Sequence, residues 1–392
     1  MSRSDYGSGT ITERSSGRWQ ISIGLGRDPS TGKRRRHRFT IQGTRHDAQR
    51  ALRKALQQRD SGIAVTPEKI TVSEWLTSWL DRHQAEGHIG PRVVDGYRRI
   101  IRCHLAPMLG RLRLQELRPD HIADAKARWL SGEGSTAKEA LSGATIHKHF
   151  VVLRQALTEA VKAGIIARNP IDVVSAPSVK ARSERRALTE EEIAALLTAA
   201  QGSRYDAAIR FTLATGLRQG ELFGLWWEDV DLDEGLINVR QTLSYVEGKS
   251  FFAPPKSERS RRVVELSAAT VNLLRSHRKG QAEHRLRLGP IWQDHGLVFP
   301  SLIGTPWLAR PFYRGYRAVL ERTEIDGIER VNWHTLRHTA GSQWLRHGAD
   351  IFSISRRLGH ASAAFTMDVY GHLLKGQQRQ AAEALDYLLA QT

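Results

Sequence analysis

The 392-residue sequence predicts a multidomain protein: a small β-hairpin or sheet with one helix, then an all-α domain, then a mainly helical α+β domain. Three observations predict this order. A basic strand–turn–strand pattern opens the chain, two stretches of helical apolar spacing follow it, and the last half mixes helical segments with short β-branched runs. Polar linkers without periodicity separate them, which sets the domains at residues 1–63, 70–172 and 185–392.

In the first domain, Trp19 to Leu25 reads as a strand, DPSTG from Asp28 to Gly32 supplies turn residues, and Lys33 to Ile41 reads as a second strand. Alternation along the second strand puts Arg34, Arg36 and Arg38 on one face, a comb suited to phosphates or a DNA groove. A helix from about Thr44 to Arg59 follows, with Ala48, Leu52, Ala55 and Leu56 at helical spacing. The alternative reading of this segment is a solvated basic hairpin or a targeting tract.

SGIAVTPEK at 61–69 is the first linker. After it, Val72, Trp75, Leu76, Trp79 and Leu80 recur at three- and four-residue intervals, as do Ile146, Phe150, Leu153, Leu157 and Val161. Pro91 and Pro107 mark helix breaks or starts, and GEGSTAK at 132–138 marks a loop. A second linker runs from Asn169-Pro170 to Leu188. Thr189 and Glu192 then form a capping box ahead of IAALL. Helices continue to Leu225, Gly235 to Thr242 and Arg261 to Leu266 read as strands around a turn, and Gly348, Gly359 and Gly371 read as helix stops.

Lys plus Arg total 59 against 41 Asp plus Glu, a formal charge of +18, which calls for a polyanionic partner, nucleic acid first. Half of that excess lies in residues 1–63, with 14 Lys or Arg against 5 Asp or Glu. No apolar run approaches the roughly 20 residues needed to cross a bilayer, and the first residues lack a secretion signal's apolar stretch. Cys103 is the only cysteine, so no internal disulfide forms and a reducing cytoplasm is the expected setting. Its helical context makes it a packing residue.

Four local sequences carry chemistry: ATGLRQGEL around Arg218 and Glu221, PPKSERSRRVVEL around Lys256, WHTLRHTAGSQWL with His334 and Arg337, and LGHASAAFTMDVYGHL from His360 to Tyr370. From about Leu188 onward the chain closely resembles the catalytic domain of the tyrosine recombinases of the phage-integrase type. Every catalytic position of that family is filled, Lys256 being the softest assignment because Lys249 lies nearby. The middle segment resembles the family's helical core-binding domain, and the basic hairpin with its helix resembles the arm-binding domain of integrases. The resemblance implies a site-specific recombinase acting on core-type and arm-type double-stranded DNA sites. It also implies a homotetramer, two rounds of cleavage and ligation with a Holliday junction between them, and a possible excisionase and DNA-bending host factor.

The residue types suit that reaction in their own right. A phosphodiester under attack gains negative charge on its nonbridging oxygens, and guanidiniums, here Arg218 and Arg337, match it with paired hydrogen bonds. Tyr370, with a reference pKa of about 10, needs help to lose its proton, and His334 is the expected helper. His334 and Arg337 are three apart and share a helix face. Lys256 would protonate the departing 5′ oxygen, His360 would bond a phosphate oxygen, and Glu221 would orient its neighbours. One ester replaces another of similar energy, so neither ATP nor a metal is expected as cofactor. The segment after Tyr370, with Ala381, Ala382, Leu385, Leu388 and Leu389, reads as an amphipathic helix docking on its own domain or on a neighbouring protomer.

Competing readings remain at this level. A resolvase-type recombinase or a type IB topoisomerase would use the same nucleophile. A DNA-binding regulator would use the charge without Tyr370, and the acids of WWEDVDLDE could hold two metal ions in a nuclease. His334 and His338 have the spacing of zinc ligands, but Thr335 stands where a zincin has glutamate. VEGKS resembles the end of a phosphate loop, yet Leu243 occupies the first glycine position.

Overall fold

A computed structural model describes residues 9–27, 32, 34–60, 70–133, 139–178, 186–255, 260–360 and 362–371. The chain divides into two compact units, Met1–Ala181 and Arg182–Thr392.

The first unit holds two separate apolar cores. Strands β1 (Thr10–Ser15), β2 (Arg18–Arg27) and β3 (Arg34–Gln42) form an antiparallel sheet with β2 in the middle. Helix α1 (Arg45–Asp60) supplies Ala55 to a core with Ile21 and Ile23, against which Leu52 and Leu56 pack. The third strand is absent from the sequence expectation of a two-stranded hairpin. β1 reads TITERS, in which Ile11 alone packs on the core, too little to show an alternation. Arg34, Arg36 and Arg38 are all exposed, as their alternation requires, while His37, Phe39 and Ile41 on the other face are half-buried.

The second core belongs to a helical bundle: α2 (Val72–Ala85), α3 (Pro91–Ile100), α4 (Ala106–Leu109), α5 (Pro119–Ser131) and α6 (Gly143–Lys162). A capping box starts α2, with the Thr71 amide donating to Glu74 Oε2 at 2.8 Å. The predicted stripes are buried: Trp75, Leu76, Trp79 and Leu80 from α2 meet Phe150, Leu153 and Leu157 from α6. Pro91 starts α3, and Pro107 starts α4. Pro107 does not break the path, because the π-helical turn Ile101–Leu105 joins α3 to α4 and the Ala106 amide reaches back to the Ile101 carbonyl. Cys103 is half-buried in that turn.

The second unit contains α7 (Glu190–Ala200), α8 (Asp206–Thr215), α9 (Gln219–Phe223), β4 (Val230–Asp231), β5 (Leu236–Val239), β6 (Thr242–Val246), β7 (Lys249–Ala253) and β8 (Arg262–Glu265). Helices α10 (Ala268–Leu288), α11 (Ala309–Leu320), α12 (Trp333–Arg346), α13 (Ile351–Leu358) and α14 (Ala363–Tyr370) follow. The capping box at Thr189 and Glu192 is formed. β4, β5 and β8 make one antiparallel sheet, and β6 with β7 makes a separate hairpin. The expected strand from Gly235 to Thr242 is thus divided, and what reads as a turn contains two strands. Glu247 and Gly248 both adopt positive φ, 50° and 80°, the geometry of a two-residue type I′ turn, so VEGKS is a hairpin tip. Phe211, Leu222, Phe223, Phe312, Tyr316, Trp333 and Leu336 build the core of this unit. Gly359 caps α13 in the left-handed conformation, whereas Gly371 follows α14 with a φ of −59°.

His149 of α6 is 1% exposed, its ring stacked on His104 at 4.4 Å and set edge-on to Trp129. Burial, then the His104 charge, pushes its pKa down to about 4. The unfolded chain therefore binds the proton first. The bundle should be most stable above pH 6.5 and lose up to about 3 kcal/mol as pH falls toward 4. Calorimetry of wild-type and His149→Leu chains checks this: the substitution should flatten the loss between pH 6.5 and 5.

Candidate active site

Helix α8 ends at Gly216, whose φ is 65°. A Cβ there would also lie 2.6 Å from Leu358 Cδ2, so both conformation and packing demand glycine. The turn delivers Arg218 to the start of α9. Glu221, three residues on and 4% exposed, accepts the Arg218 amide at 2.9 Å and the Arg218 Nη1 at 2.7 Å. Arg218 Nη2 donates to the Gly359 carbonyl at 2.8 Å.

Arg337 projects from α12 and is 2% exposed. Its Nη1 donates to the Gly216 carbonyl at 2.7 Å and its Nη2 to the Leu358 carbonyl at 2.6 Å. These carbonyls are the free ends of α8 and α13, where the helix dipole is negative. Burial, then the Arg218 charge, lowers the Arg337 pKa to about 9, with Glu221 opposing, so the group remains cationic at neutral pH.

Leu358 and Gly359 accept from the two arginines, and His360 follows directly. Its Nδ1 lies 2.8 Å from Thr366 Oγ1. Burial, then the charges of Arg337, Arg218 and Arg262, pushes the imidazole down to about 3, so His360 is neutral at physiological pH. Thr366 Oγ1 also donates to the Ser362 carbonyl at 3.5 Å, so Nδ1 is held on the Thr366 side and Nε2 is the ring nitrogen outside this bond.

His334 is exposed at the first turn of α12, where Asn332 caps its amide at 2.9 Å. One turn on, His338 is buried, its ring edge-on to His334 at 4.5 Å. Tyr370, the last residue of α14, is 1% exposed among Leu345, Ile354 and Leu358. Its hydroxyl lies 3.4 Å from His338 Nδ1, and a Cβ at Gly341 would meet it at 2.5 Å. The structure thus seats Tyr370 against His338, which the sequence offered only by its spacing from His334. Lys256 and the segment after Gly371 fall outside the described residues.

Arg262 was not singled out by sequence. Its side chain is 5% exposed and grips Glu221 with both ends of the guanidinium, Nη1 to Oε1 at 3.2 Å and Nη2 to Oε2 at 3.0 Å. Burial alone would raise the Glu221 pKa, but Arg262 and then Arg218 and Arg337 hold it near 2. A signal existed: alternation in RVVE puts Arg262 on the same buried face as Val264. The acids of WWEDVDLDE lie elsewhere. Glu228 and Asp229 both pair with Arg240, and Asp233 pairs with Arg275.

Comparison with known proteins identifies the family. Residues 186–377 match the phage integrase family, while residues 71–130 match a phage integrase N-terminal SAM-like domain and residues 101–176 a phage integrase SAM-like domain. An integrase from Streptomyces ambofaciens is 30% identical over 377 residues, covering 94% of this chain and 93% of its own length. Among solved structures, the Tn1549 transposon integrase bound to a circular intermediate DNA aligns with a TM-score of 0.65 at 19% identity, over 81% of this chain and 99% of that one. The lambda integrase tetramer bound to a Holliday junction aligns at 0.54 and 19% identity, over 90% and 96%. The chain belongs to the phage integrase family and is a tyrosine site-specific recombinase.

Proposed function

We propose that this recombinase integrates, and in the reverse direction excises, a bacterial mobile element, with Tyr370 as the nucleophile that cuts and rejoins DNA. One observation carries the reading: two guanidiniums, of Arg218 and Arg337, bond consecutive carbonyls at Gly359 and Leu358, immediately before the neutral imidazole of His360. Three donors are thereby gathered beside one spot, the arrangement that an oxyanion with developing charge needs.

In the proposed reaction the Tyr370 oxygen bonds phosphorus and the bond from phosphorus to the 5′ oxygen breaks. A 3′-phosphotyrosyl link remains, and Lys256 gives its proton to the leaving 5′ oxygen. Ligation runs the same step backwards. Arg218 and Arg337 hold the nonbridging oxygens, His360 bonds a phosphate oxygen, and His334 at the mouth of α12 takes the proton that Tyr370 gives up. With its ring 1% exposed, Tyr370 reaches a phosphate only when α14 leaves its seat on α12.

Residues 185–392 form the catalytic domain in this reading, 70–172 the domain that grips core-type sites, and 1–63 the domain that binds arm-type sites. The exposed row of Arg34, Arg36 and Arg38 supports the last assignment. A homotetramer on a Holliday junction is the proposed working assembly, with an excisionase and a DNA-bending host factor as accessory partners. The work site is the bacterial nucleoid, in the cytoplasm; no helix among the described residues is long and apolar enough to cross a membrane.

Four outcomes are expected. On a nicked duplex carrying the element's core site, with EDTA present, the wild-type chain should form a covalent DNA adduct. Tyr370→Phe should lower adduct formation by roughly a thousand-fold or more on a denaturing gel. Removal of residues 1–63 should leave core cleavage within about three-fold and abolish integration in a host; integration at full frequency would refute the arm-binding assignment. Gly341→Ala should expel the Tyr370 ring, so nitration of that tyrosine by tetranitromethane, read by mass spectrometry, should rise about ten-fold.

A further inference from the structure

The Arg262 guanidinium spans two parts of the site. Besides holding both Glu221 oxygens, its Nε donates to the Arg357 carbonyl at 2.7 Å and its Nη1 to the Ser260 carbonyl at 3.1 Å. The backbone of Gly359 lies flat against it, and a Cβ at Gly359 would sit 2.9 Å from Nη1. One planar group therefore touches the carboxylate that orients Arg218 and the last turn of α13 that presents His360.

We propose that Arg262 is a positioning residue for the recombination reaction, setting the separation between Arg218 and His360 through Glu221 and the Arg357–Gly359 turn. The inference rests on the reading of Arg218 and His360 as phosphate ligands. The chemical reason is geometric: a guanidinium is rigid and planar, and its N–H groups leave in set directions. Glu221 receives one edge of that plane, and α13 receives Nε on the other. Lysine could supply the charge but not both edges. Arg262 needs no contact with DNA to act, because a shift in the spacing of the two ligands weakens both bonds to a transition state that neither can follow.

The same geometry explains how three cations share a small volume. Arg218, Arg262 and Arg337 surround Glu221, so loss of Arg262 leaves a buried carboxylate held by Arg218 alone among its directly bonded guanidiniums. Arg218 would then be drawn toward Glu221 and away from the phosphate position. Arg262 and Glu221 should consequently behave as one unit and not as two independent contributors.

The test uses the full-length chain and a nicked duplex of the core site recovered by sequencing the element's junctions in its host. Single-turnover adduct formation is followed at several DNA concentrations for Arg262→Lys, Arg262→Gln, Glu221→Gln and the Arg262→Gln/Glu221→Gln pair. The expected result is a fall of about 30-fold or more in the saturated rate for Arg262→Gln. The half-saturating DNA concentration should stay within about three-fold. The double variant should be no slower than the slower single one, and Arg262→Lys should recover only part of the rate. Saturated rates equal to wild type, or losses that multiply in the double variant, would overturn the proposal. Thermal melting identifies a variant that has unfolded, and Arg262→Lys, which keeps the charge, then carries the decision. Tyr370→Phe runs alongside: an adduct from that protein would refute the nucleophile reading and leave the Arg262 result to be read on its own.

Discussion

The cluster of guanidiniums in the second unit is organised around the buried carboxylate of Glu221. Glu221 is 4% exposed and bonds directly to the guanidiniums of Arg218 and Arg262, with Arg337 close enough to help keep it ionised. Cations crowded at this density repel one another, and in a buried position that repulsion is poorly screened. Glu221 offsets it and still leaves an excess of positive charge. On the proposed function, a phosphodiester entering the site would meet an environment already charged in its favour, one that need not reorganise when more negative charge develops.

Helix ends supply the rest of the restraint. Arg337 is held by the last carbonyls of α8 and α13, and Arg218 by Gly359 just beyond α13. Left-handed glycines at 216 and 359 end those helices abruptly and expose their carbonyls to side-chain donors. Guanidiniums of a recombinase are thus oriented by backbone, which has few alternative positions. The same helix ends stabilise the positive charge that burial disfavours.

Much of this was legible in the sequence because it is local. Trp75 through Leu80 and Ile146 through Leu157 repeat at helical spacing over several turns, and the Thr189–Glu192 box is a three-residue relation. Motif order placed Arg218, His334, Arg337, His360 and Tyr370 in the unit where the structure brings Arg218, Arg337 and His360 together. What escaped was set by contacts between distant segments. β1 has too polar a sequence to announce a strand and exists because β2 offers it an edge. The β6–β7 hairpin was read as a turn because its strands are short and its tip carries charged and glycine residues. Arg262 lies 41 residues from the Glu221 it binds, and His338 lies 32 from Tyr370, so no spacing rule connects either pair.

The seat of α9 on β6 has a mechanical meaning. Cβ atoms at Gly220 and Gly224 would meet Thr242 Oγ1 at 2.3 Å and the Leu243 amide at 2.8 Å, so α9 sits against β6 at a separation that only glycine allows. Such a joint leaves little room between the two elements. A displacement of the β6–β7 hairpin would therefore press directly on α9, at whose head Arg218 stands.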